Sequence, residues 1–326
     1  PASQYAKRGS RAIEAALVKI LYFDHIRQNK LPGIFFASDL MQCFDRMAHP
    51  VCSLVSQRWG VHPNVILCMF TTIQQMKHKI RTGFGDSDRE YGNDKVRPLQ
   101  GGGQGNGASL PLWVAISCIL ITMLEGEVKG VRLRTAITLQ LLVFIAIMYV
   151  DDTDILLTDI TGNDTLDDVF KRAKKAAKVW DMAVLQTGGA LRPEKCYWSA
   201  IDFRWKNGRW HYMPMRDFQE NIWVYDTNGV KQKVKRLDIN NSREGLGVYI
   251  NPDGSMGKQS KHVIEKITQW TTRLKASSLS IHHVYIDAHT SIFKSIVYLL
   301  PGSTFTPKEC SHLESVLYKD LLPRLG

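Results

Sequence analysis

Two adjacent carboxylates, Asp151 and Asp152, are the feature of the sequence most suited to chemistry. They follow Tyr149 and Val150 at the end of one apolar run, and a second apolar run begins at Ile155. Two carboxylates in a tight turn repel each other, and a divalent cation is the usual way to compensate their charge. An Asp-Asp turn is also common at the exposed tip of an ordinary hairpin, so the pair alone does not establish a metal site.

A third carboxylate, Asp39, also follows a short apolar segment, at residues 34–37. It precedes Asp151 by 112 residues. Taken alone, Asp39 is equally suited to capping the element that follows the strand.

A glycine-rich segment lies between these carboxylates, at residues 101–107. It contains Gln104 and Gly105 and leads to Ser109 at the mouth of an apolar stretch. Small residues at this place let the backbone approach a ligand closely, although a plain turn with a helix cap has the same composition.

Hydrophobic periodicity predicts the elements that must position these residues. Helices are predicted at residues 10–28, 50–58, 63–76, 109–124, 164–186, 258–276 and 283–300. Residues 34–37 are predicted to be a buried strand, and 137–150 a buried strand with its lead-in that ends at Val150. Residues 78–84 are strand-like, and 85–93 form a polar loop. Hairpin turns are predicted at Asp151–Asp154, Asn207–Gly208, Asn228–Gly229 and Pro252–Gly254. The aromatic residues of the hairpin region are expected to pack across a sheet rather than to stack on bases, namely Trp198, Trp205, Trp210 and Tyr212.

The charge of the chain favours a polyanionic partner. The 326 residues carry a formal net charge of +11. Residues 1–150 have 17 basic and 10 acidic side chains, and residues 204–275 have 14 and 7. Residues 151–203 reverse the balance, with 7 basic and 10 acidic. Two basic regions around an acidic middle suit a protein that binds phosphates beside a metal centre, and surface lysines that only confer solubility are the alternative.

Cysteine spacing and hydropathy argue against several classes of protein. None of the six cysteines forms a C-x-x-C pair, which argues against a disulfide framework or a zinc finger and favours an intracellular compartment. The apolar run at 137–150 is shorter than the about 20 residues needed to span a bilayer. The chain begins at Pro1 rather than Met, so we expect a fragment.

The order strand–Asp, glycine turn–helix, strand–Asp-Asp–strand resembles motifs A, B and C of reverse transcriptases. The residues of these motifs are most similar to those of the non-LTR retrotransposon and group II intron branch, with matches at residues 39–45, 104–109 and 149–152. Residues 189–195 and 246–248 resemble motif D and the primer grip of motif E, and residues 6–10 resemble the basic segment before motif A. The resemblance covers about residues 5–258.

The resemblance implies an α+β fold built around a right-hand polymerase palm, an antiparallel sheet with helices on one face. The implied regions are partial fingers at 1–33, the palm at 34–203, a β-hairpin-rich region with the primer grip at 204–258, and a helical thumb-like region at 259–326.

It also implies a role for each site residue. The implied ligands of two Mg²⁺ ions, or of Mn²⁺ in their place, are Asp39, Asp151 and Asp152. The residues implied to contact nucleotide and template are Leu40, Phe44, Gln104, Gly105 and Tyr149, and those implied to contact the primer are Leu246 and Gly247. Lys195 would protonate pyrophosphate, with an ordinary surface lysine as the alternative. Phe44 would exclude a ribose 2′-hydroxyl, with a core aromatic as the alternative.

The implied partners are an RNA template, a DNA primer and deoxynucleoside triphosphates, with no membrane. The implied activity is RNA-directed DNA polymerisation by two-metal nucleotidyl transfer. One alternative is an RNA-dependent RNA polymerase, although that class usually has Gly-Asp-Asp in motif C. Another is a catalytically inactive nucleic-acid-binding protein, against which the intact Asp39, Asp151 and Asp152 argue.

Three features depart from the family pattern. Leu110 separates Ser109 from Pro111, whereas the family has proline directly after the serine. The finger strands that hold the triphosphate are expected upstream of Pro1. Residues 204–243 form a longer connection than we expect between motifs D and E.

Overall fold

A computed structural model describes residues 3–7, 9–103, 105–135 and 137–326. Its α-helices are α1 Ala12–Asn29, α2 Cys43–Arg46, α3 His49–Arg58, α4 Pro63–Gln75, α5 Ser109–Glu127, α6 Leu166–Gln186, α7 Gly257–Ala276, α8 Ile281–Asp287, α9 Phe293–Leu299 and α10 Pro307–Leu325. Its strands are β1 Gly33–Ser38, β2 Lys77–His78, β3 Arg81–Thr82, β4 Gly85–Asp86, β5 Tyr91–Gly92, β6 Val131–Arg134, β7 Leu141–Phe144, β8 Ala146–Tyr149, β9 Asp152–Thr158, β10 Tyr197–Ile201, β11 Phe203–Lys206, β12 Arg209–Tyr212, β13 Trp223–Tyr225, β14 Lys231–Lys233, β15 Lys235–Arg236, β16 Arg243–Gly245 and β17 Val248–Ile250. The α+β class is confirmed.

The chain forms two compact units. The first comprises Pro1–Gly9, Pro32–Ala200 and Pro214–Arg236, and the second comprises Ser10–Leu31, Ile201–Met213 and Leu237–Gly326. The division into fingers, palm, hairpin region and thumb stays a prediction.

A five-stranded sheet, in the order β15-β10-β1-β9-β8, forms the core of the first unit. Strand β9 runs antiparallel to β1 and β8, and β15 pairs in parallel with β10. Nearly all of β1 is buried, as expected for an apolar strand covered on both faces. The sheet is therefore antiparallel where the carboxylates lie and has one parallel pair at the opposite edge.

Helix α6 packs against β1, β9 and α5. It begins with a capping box in which the Thr165 hydroxyl and the Asp168 carboxylate each accept a backbone hydrogen bond. One apolar stripe along the helix is buried, so the helix predicted at 164–186 is confirmed.

Helix α5 confirms the helix predicted at 109–124. By length and composition it is the one helix among the described ranges that could cross a membrane. It packs against α3 and α6, and its buried residues include Trp113, Ile116 and Leu124, as in the core helix of a folded domain.

Two expectations for the first unit are wrong. The strand-like stretch at 78–84 and the loop at 85–93 instead form two small ladders, in which β2 pairs with β5 and β3 with β4. The run at 137–150 ends in the predicted buried strand, β8, but its lead-in is an exposed strand of another sheet. Ile137 is 95% exposed and β7 pairs with β6 in an outer hairpin, whereas β8 is buried up to Met148 and half-buried at Tyr149. A turn in which the Gln140 amide donates to the Thr135 hydroxyl starts β7 and removes the first half of the run from the sheet.

The second unit contains two hairpins, helix α1 and the carboxyl-terminal helices α7 to α10. Strands β11 and β12 pair across Asn207–Gly208 as predicted, and the Trp205 and Trp210 rings pack edge to face, 5.3 Å apart. The hairpin turn predicted at Pro252–Gly254 is wrong. Strands β16 and β17 meet instead at Leu246–Gly247, and residues 252–254 lead into α7. Helix α10 was not predicted.

Candidate active site

Asp39 is held at the end of β1 by contacts on both sides of the strand. The Trp180 indole of α6 donates to the hydroxyl of the preceding residue, Ser38, over 3.0 Å. The Asp39 carbonyl accepts from the Arg192 amide over 2.9 Å, and the Asp39 amide lies 3.5 Å from the Cys196 sulfur. The backbone of Asp39 is therefore fixed between α6 and the segment at 187–196.

Asp151 lies in the two-residue turn between β8 and β9. Tyr149 pairs with Asp152, so Val150 and Asp151 form the turn itself. Val150 has φ +57°, a left-handed conformation that is costly for a β-branched residue. The Trp113 indole donates to the Val150 carbonyl over 2.6 Å, and this contact holds the turn in place.

The register of the sheet brings Asp39 and Asp151 together. Ser38 pairs with Thr153, so the residues that follow β1 and precede β9 lie at one end of the sheet. Burial raises the pKa of Asp39, and the nearby charge of Asp151 contributes to the rise. This is the pairing expected if the strand ends form one site.

Two cations lie beside Asp39. Arg192 Nε is 4.0 Å from Asp39 Oδ1, and Lys195 Nζ is 4.0 Å from Asp39 Oδ2. Burial is the main cause of the raised pKa of Asp39, and the two cations oppose it. Asp39 Oδ1 is buried and has no hydrogen-bond partner among the described residues. A buried carboxylate oxygen in this state is free to accept a ligand.

Burial also raises the pKa of the cysteine thiols nearest these carboxylates. The pKa of Cys43 rises to about 12, and so does that of Cys196. Both thiols are therefore neutral at ordinary pH.

The glycine-rich segment packs against α2, which carries Phe44. The Gly102 amide donates to the Phe44 carbonyl over 2.8 Å, and the Gly101 amide donates to the Met47 carbonyl over 2.9 Å. A Cβ at Gly101 would lie 2.3 Å from the Phe44 carbonyl oxygen, so only glycine fits there. The Ser109 hydroxyl donates to Gly103 over 2.7 Å and closes the segment onto α5. Phe44 is half-buried, which does not match a core aromatic.

The other predicted site residues of the first unit differ in exposure. Leu40 is buried and bridges to Leu191, so only its backbone could face a ligand. Tyr149 is half-buried, Asp152 is exposed, and Gly105 is exposed with φ +89°. Gln104 lies outside the described residues.

Leu246 and Gly247 lie in the second unit. Both have positive φ, +54° and +79°. The Tyr298 hydroxyl donates to the Leu246 carbonyl over 2.7 Å. The two residues form a tight, clamped hairpin turn, and their predicted contact with a primer stays a prediction.

The carboxylates fit a hard divalent ion only in part. Within the described residues, no group of three or more His, Cys, Asp or Glu side chains is arranged to hold a metal ion. Asp39 and Asp151, with an Asp39 Oδ1 atom that has no hydrogen-bond partner, nevertheless suit Mg²⁺, which proteins often bind through one or two carboxylates with substrate phosphates and water completing the shell.

Sequence reasoning did not single out Arg192, Cys196 or Trp113 as site residues. Arg192 lies three residues before Lys195, on the same turn of chain, and this spacing is a usable signal. Trp113 contacts Val150, 37 residues away, and nothing in the local sequence indicates that contact.

No protein-family model matches the chain, and no curated protein matches it. The fold is similar to solved structures of telomerase from Candida albicans and from Candida tropicalis, each in complex with a TWJ fragment of telomeric RNA. The identities are 10% and 12%, the TM-scores are 0.42 and 0.43, and the matches cover 95% and 100% of this chain. A third similar structure, apo telomerase from Candida tropicalis truncated from its C-terminal domain, has 12% identity, a TM-score of 0.36 and a match over 71% of this chain and 41% of that one. The chain spans 51% of each of the first two structures, and similarities this distant do not assign a function to it.

Proposed function

We propose that this chain is the core of an RNA-directed DNA polymerase that extends a DNA primer on an RNA template with deoxynucleoside triphosphates. The observation that carries the proposal is the meeting of Asp39 and Asp151 at one end of the central sheet, with Lys195 and Arg192 beside them. The sequence order of motifs A to E supports the same activity.

Asp39 and Asp151 would hold divalent ions, and the exposed Asp152 follows Asp151 directly in the chain. When bound, the ions would lower the pKa of the primer 3′-hydroxyl and neutralise the leaving pyrophosphate. The chain's own contribution is to fix the carboxylates before substrate arrives, through the Trp180 contact on Ser38 and the Trp113 contact on Val150.

Lys195 and Arg192 are suited to the triphosphate. At 4.0 Å, neither makes a direct hydrogen bond to Asp39, and the Lys195 side chain is 55% exposed. Each can therefore turn toward a phosphate without breaking a strong ion pair. Lys195 would also supply the proton that pyrophosphate takes on leaving.

The position of Phe44 supports the choice of deoxyribose. Phe44 follows Asp39 by five residues, and the glycine-rich segment holds its carbonyl in place. A half-buried ring beside the metal-binding carboxylate can exclude a 2′-hydroxyl by steric contact.

Primer extension tests the proposal. Asp151→Asn should reduce extension on an RNA template by at least about 10³-fold, since several kcal/mol of charge stabilisation are lost. Affinity for the primer–template should change little, because no phosphate contact is removed. Asp167→Asn, an exposed carboxylate on α6, is the matched control and should extend normally.

Three results would contradict the proposal. Undiminished extension by Asp151→Asn would exclude Asp151 as a catalytic carboxylate and with it the proposed site. Preferential use of ribonucleotides would favour the RNA polymerase alternative. Binding of primer–template without extension by the wild-type chain would favour an inactive nucleic-acid-binding protein.

A further inference from the structure

The hairpin of β13 and β14 presents aromatic and basic side chains on one face. Trp223 pairs with Lys233, and Tyr225 pairs with Lys231, so these four side chains share one side of the ladder. All four are exposed, and Lys231 Nζ lies 5.4 Å from the centre of the Trp223 ring. We call these four residues the hairpin face.

The opposite side of the hairpin is anchored on α6. Val224 points to that side and is fully buried. The Tyr225 amide donates to the Asp181 carboxylate of α6 over 2.9 Å. The outward direction of the hairpin face is therefore fixed by packing.

Helix α6 adds lysines beside the hairpin face. Lys174 and Lys178 line an open depression of about 460 Å³ together with Trp223, Tyr225 and Lys231. Glu220 is the acidic residue among those lining it, and it forms a 3.0 Å ion pair with Lys174. Among the described residues, Lys178 and Lys233 have no ion-pair partner. The depression therefore has an excess of positive charge with two aromatic rings at its edge.

We propose that the hairpin face and the depression bind single-stranded nucleic acid, with bases stacked on Trp223 and Tyr225 and phosphates contacted by the lysines. Aromatic rings in a basic groove are the usual basis of such binding. Positions two apart on a strand are separated by about 6.8 Å, which exceeds the about 3.4 Å per nucleotide of a stacked strand. An unstacked single strand therefore fits the two rings better than a duplex does. This inference does not rest on the proposed polymerase activity.

An acidic protein segment would match the charge but would gain little from two flat, exposed rings. A membrane surface would need a larger apolar patch, whereas the hairpin face alternates rings with lysines. The chemistry therefore favours nucleic acid, and the acidic peptide becomes a competing outcome of the test.

Fluorescence anisotropy with labelled dT₁₂ and U₁₂, in the presence of a chelator, measures this binding on the whole chain. Trp223→Leu should weaken binding about 5- to 150-fold, since stacking on one aromatic ring is worth about 1–3 kcal/mol. Trp205→Leu is the matched control, because Trp205 is also an exposed tryptophan on a hairpin that carries basic residues. It should leave binding unchanged. The relative affinities of dT₁₂ and U₁₂ distinguish DNA from RNA as the preferred strand.

A second pair of variants tests the phosphate contacts. Lys178→Ala should reduce the slope of log affinity against log salt by about 0.7, the value for one phosphate contact on a single strand. Lys175→Ala, on another face of α6 where it pairs with Glu127, should not change that slope.

The proposal would be overturned by unchanged affinity in a folded Trp223→Leu protein, or by equal losses in Trp223→Leu and Trp205→Leu. Binding of a poly-glutamate peptide as tightly as dT₁₂ would identify an acidic protein as the partner instead. Because the chelator removes any need for metal, Asp151→Asn should bind dT₁₂ normally. Failure of this inference is therefore separable from failure of the proposed polymerase activity.

Discussion

Asp39→Asn should make the protein more stable and less active at the same time. The substitution removes a charge and preserves the shape of the side chain. In the metal-free protein, Asp39 Oδ1 is buried without a hydrogen-bond partner, and Asp151 and Glu194 repel the carboxylate. Arg192 and Lys195 attract it, but each from 4.0 Å.

The sign of the stability change depends on whether the burial of the carboxylate or its attraction to the two cations is the larger effect. The Oδ1 atom of asparagine stays in the same buried position, so any gain comes from removing the charge. Burial raises the pKa of Asp39 despite the two cations, so the native state disfavours the charged form, and a partly exposed ion pair at this distance contributes only about 0–1 kcal/mol. We therefore expect Asp39→Asn to raise the free energy of unfolding at pH 7 by about 0.5–2 kcal/mol, a gain typical of relieving a functional site. Primer extension should fall at least about 10³-fold.

Urea unfolding with and without Mg²⁺ measures both parts of this prediction. Mg²⁺ at about 100 times its dissociation constant should stabilise the wild-type chain by about 2.7 kcal/mol and should have much less effect on Asp39→Asn. Asp167→Asn is the control and should respond to Mg²⁺ as the wild type does. A destabilised Asp39→Asn protein would mean that the two cations outweigh the burial of the carboxylate. Equal stabilisation of both proteins by Mg²⁺ would exclude Asp39 as a ligand.

Three further predictions concern Phe44, Asp181 and Trp113. Phe44→Ala should cost about 1.5–2.5 kcal/mol, near half the value for a core phenylalanine because the ring is half-buried, and it should raise incorporation of ribonucleotides relative to deoxyribonucleotides. If the folded variant incorporates ribonucleotides and deoxyribonucleotides in the same ratio as the wild type, Phe44 does not select the sugar by steric contact. Burial raises the pKa of Asp181, so the native state holds that proton more tightly than the unfolded chain does. The stability that this proton contributes is fully present below pH 3.8 and is lost as the pH rises through the raised native pKa. Asp181→Asn should therefore abolish this decline, as measured by urea unfolding at a series of pH values. At pH 7 it should raise the free energy of unfolding by about 0.5–2 kcal/mol. A pH profile identical to the wild type would refute that assignment. Trp113→Phe leaves the Val150 carbonyl without its donor and should cost about 1–3 kcal/mol by thermal or urea unfolding while slowing extension, and normal extension in a destabilised variant would limit Trp113 to a structural role.

The elements that were predicted correctly have strong local signals. Helix α6 has a capping box and a single apolar stripe, and the Asn207–Gly208 turn has the residues that a two-residue hairpin requires. Helix α10 has a similar local signal, a capping box of Thr306 and Glu309 with Pro307 in the first helical turn.

The elements that were predicted wrongly depend on distant contacts. The β16–β17 turn places Leu246 at positive φ, which no propensity favours, and Tyr298 supports it from 52 residues away. The apolar run at 137–150 gave no local sign of where the sheet would begin. In the first half of the run, strand β7 pairs with β6 and is not part of the five-stranded sheet.

The meeting of Asp39 and Asp151 depends on strand register, which the apolar pattern alone specifies weakly. Both β1 and β9 are buried on their two faces, so a slip by one residue would still bury apolar side chains. Polar contacts at the two ends of β1 discriminate between registers, since the Thr158 hydroxyl donates to the Pro32 carbonyl and the Trp180 indole donates to Ser38. The residues that fix the geometry of the proposed site are therefore neutral hydrogen-bonding groups outside the carboxylate motifs. Their substitution should disturb activity without touching a proposed ligand.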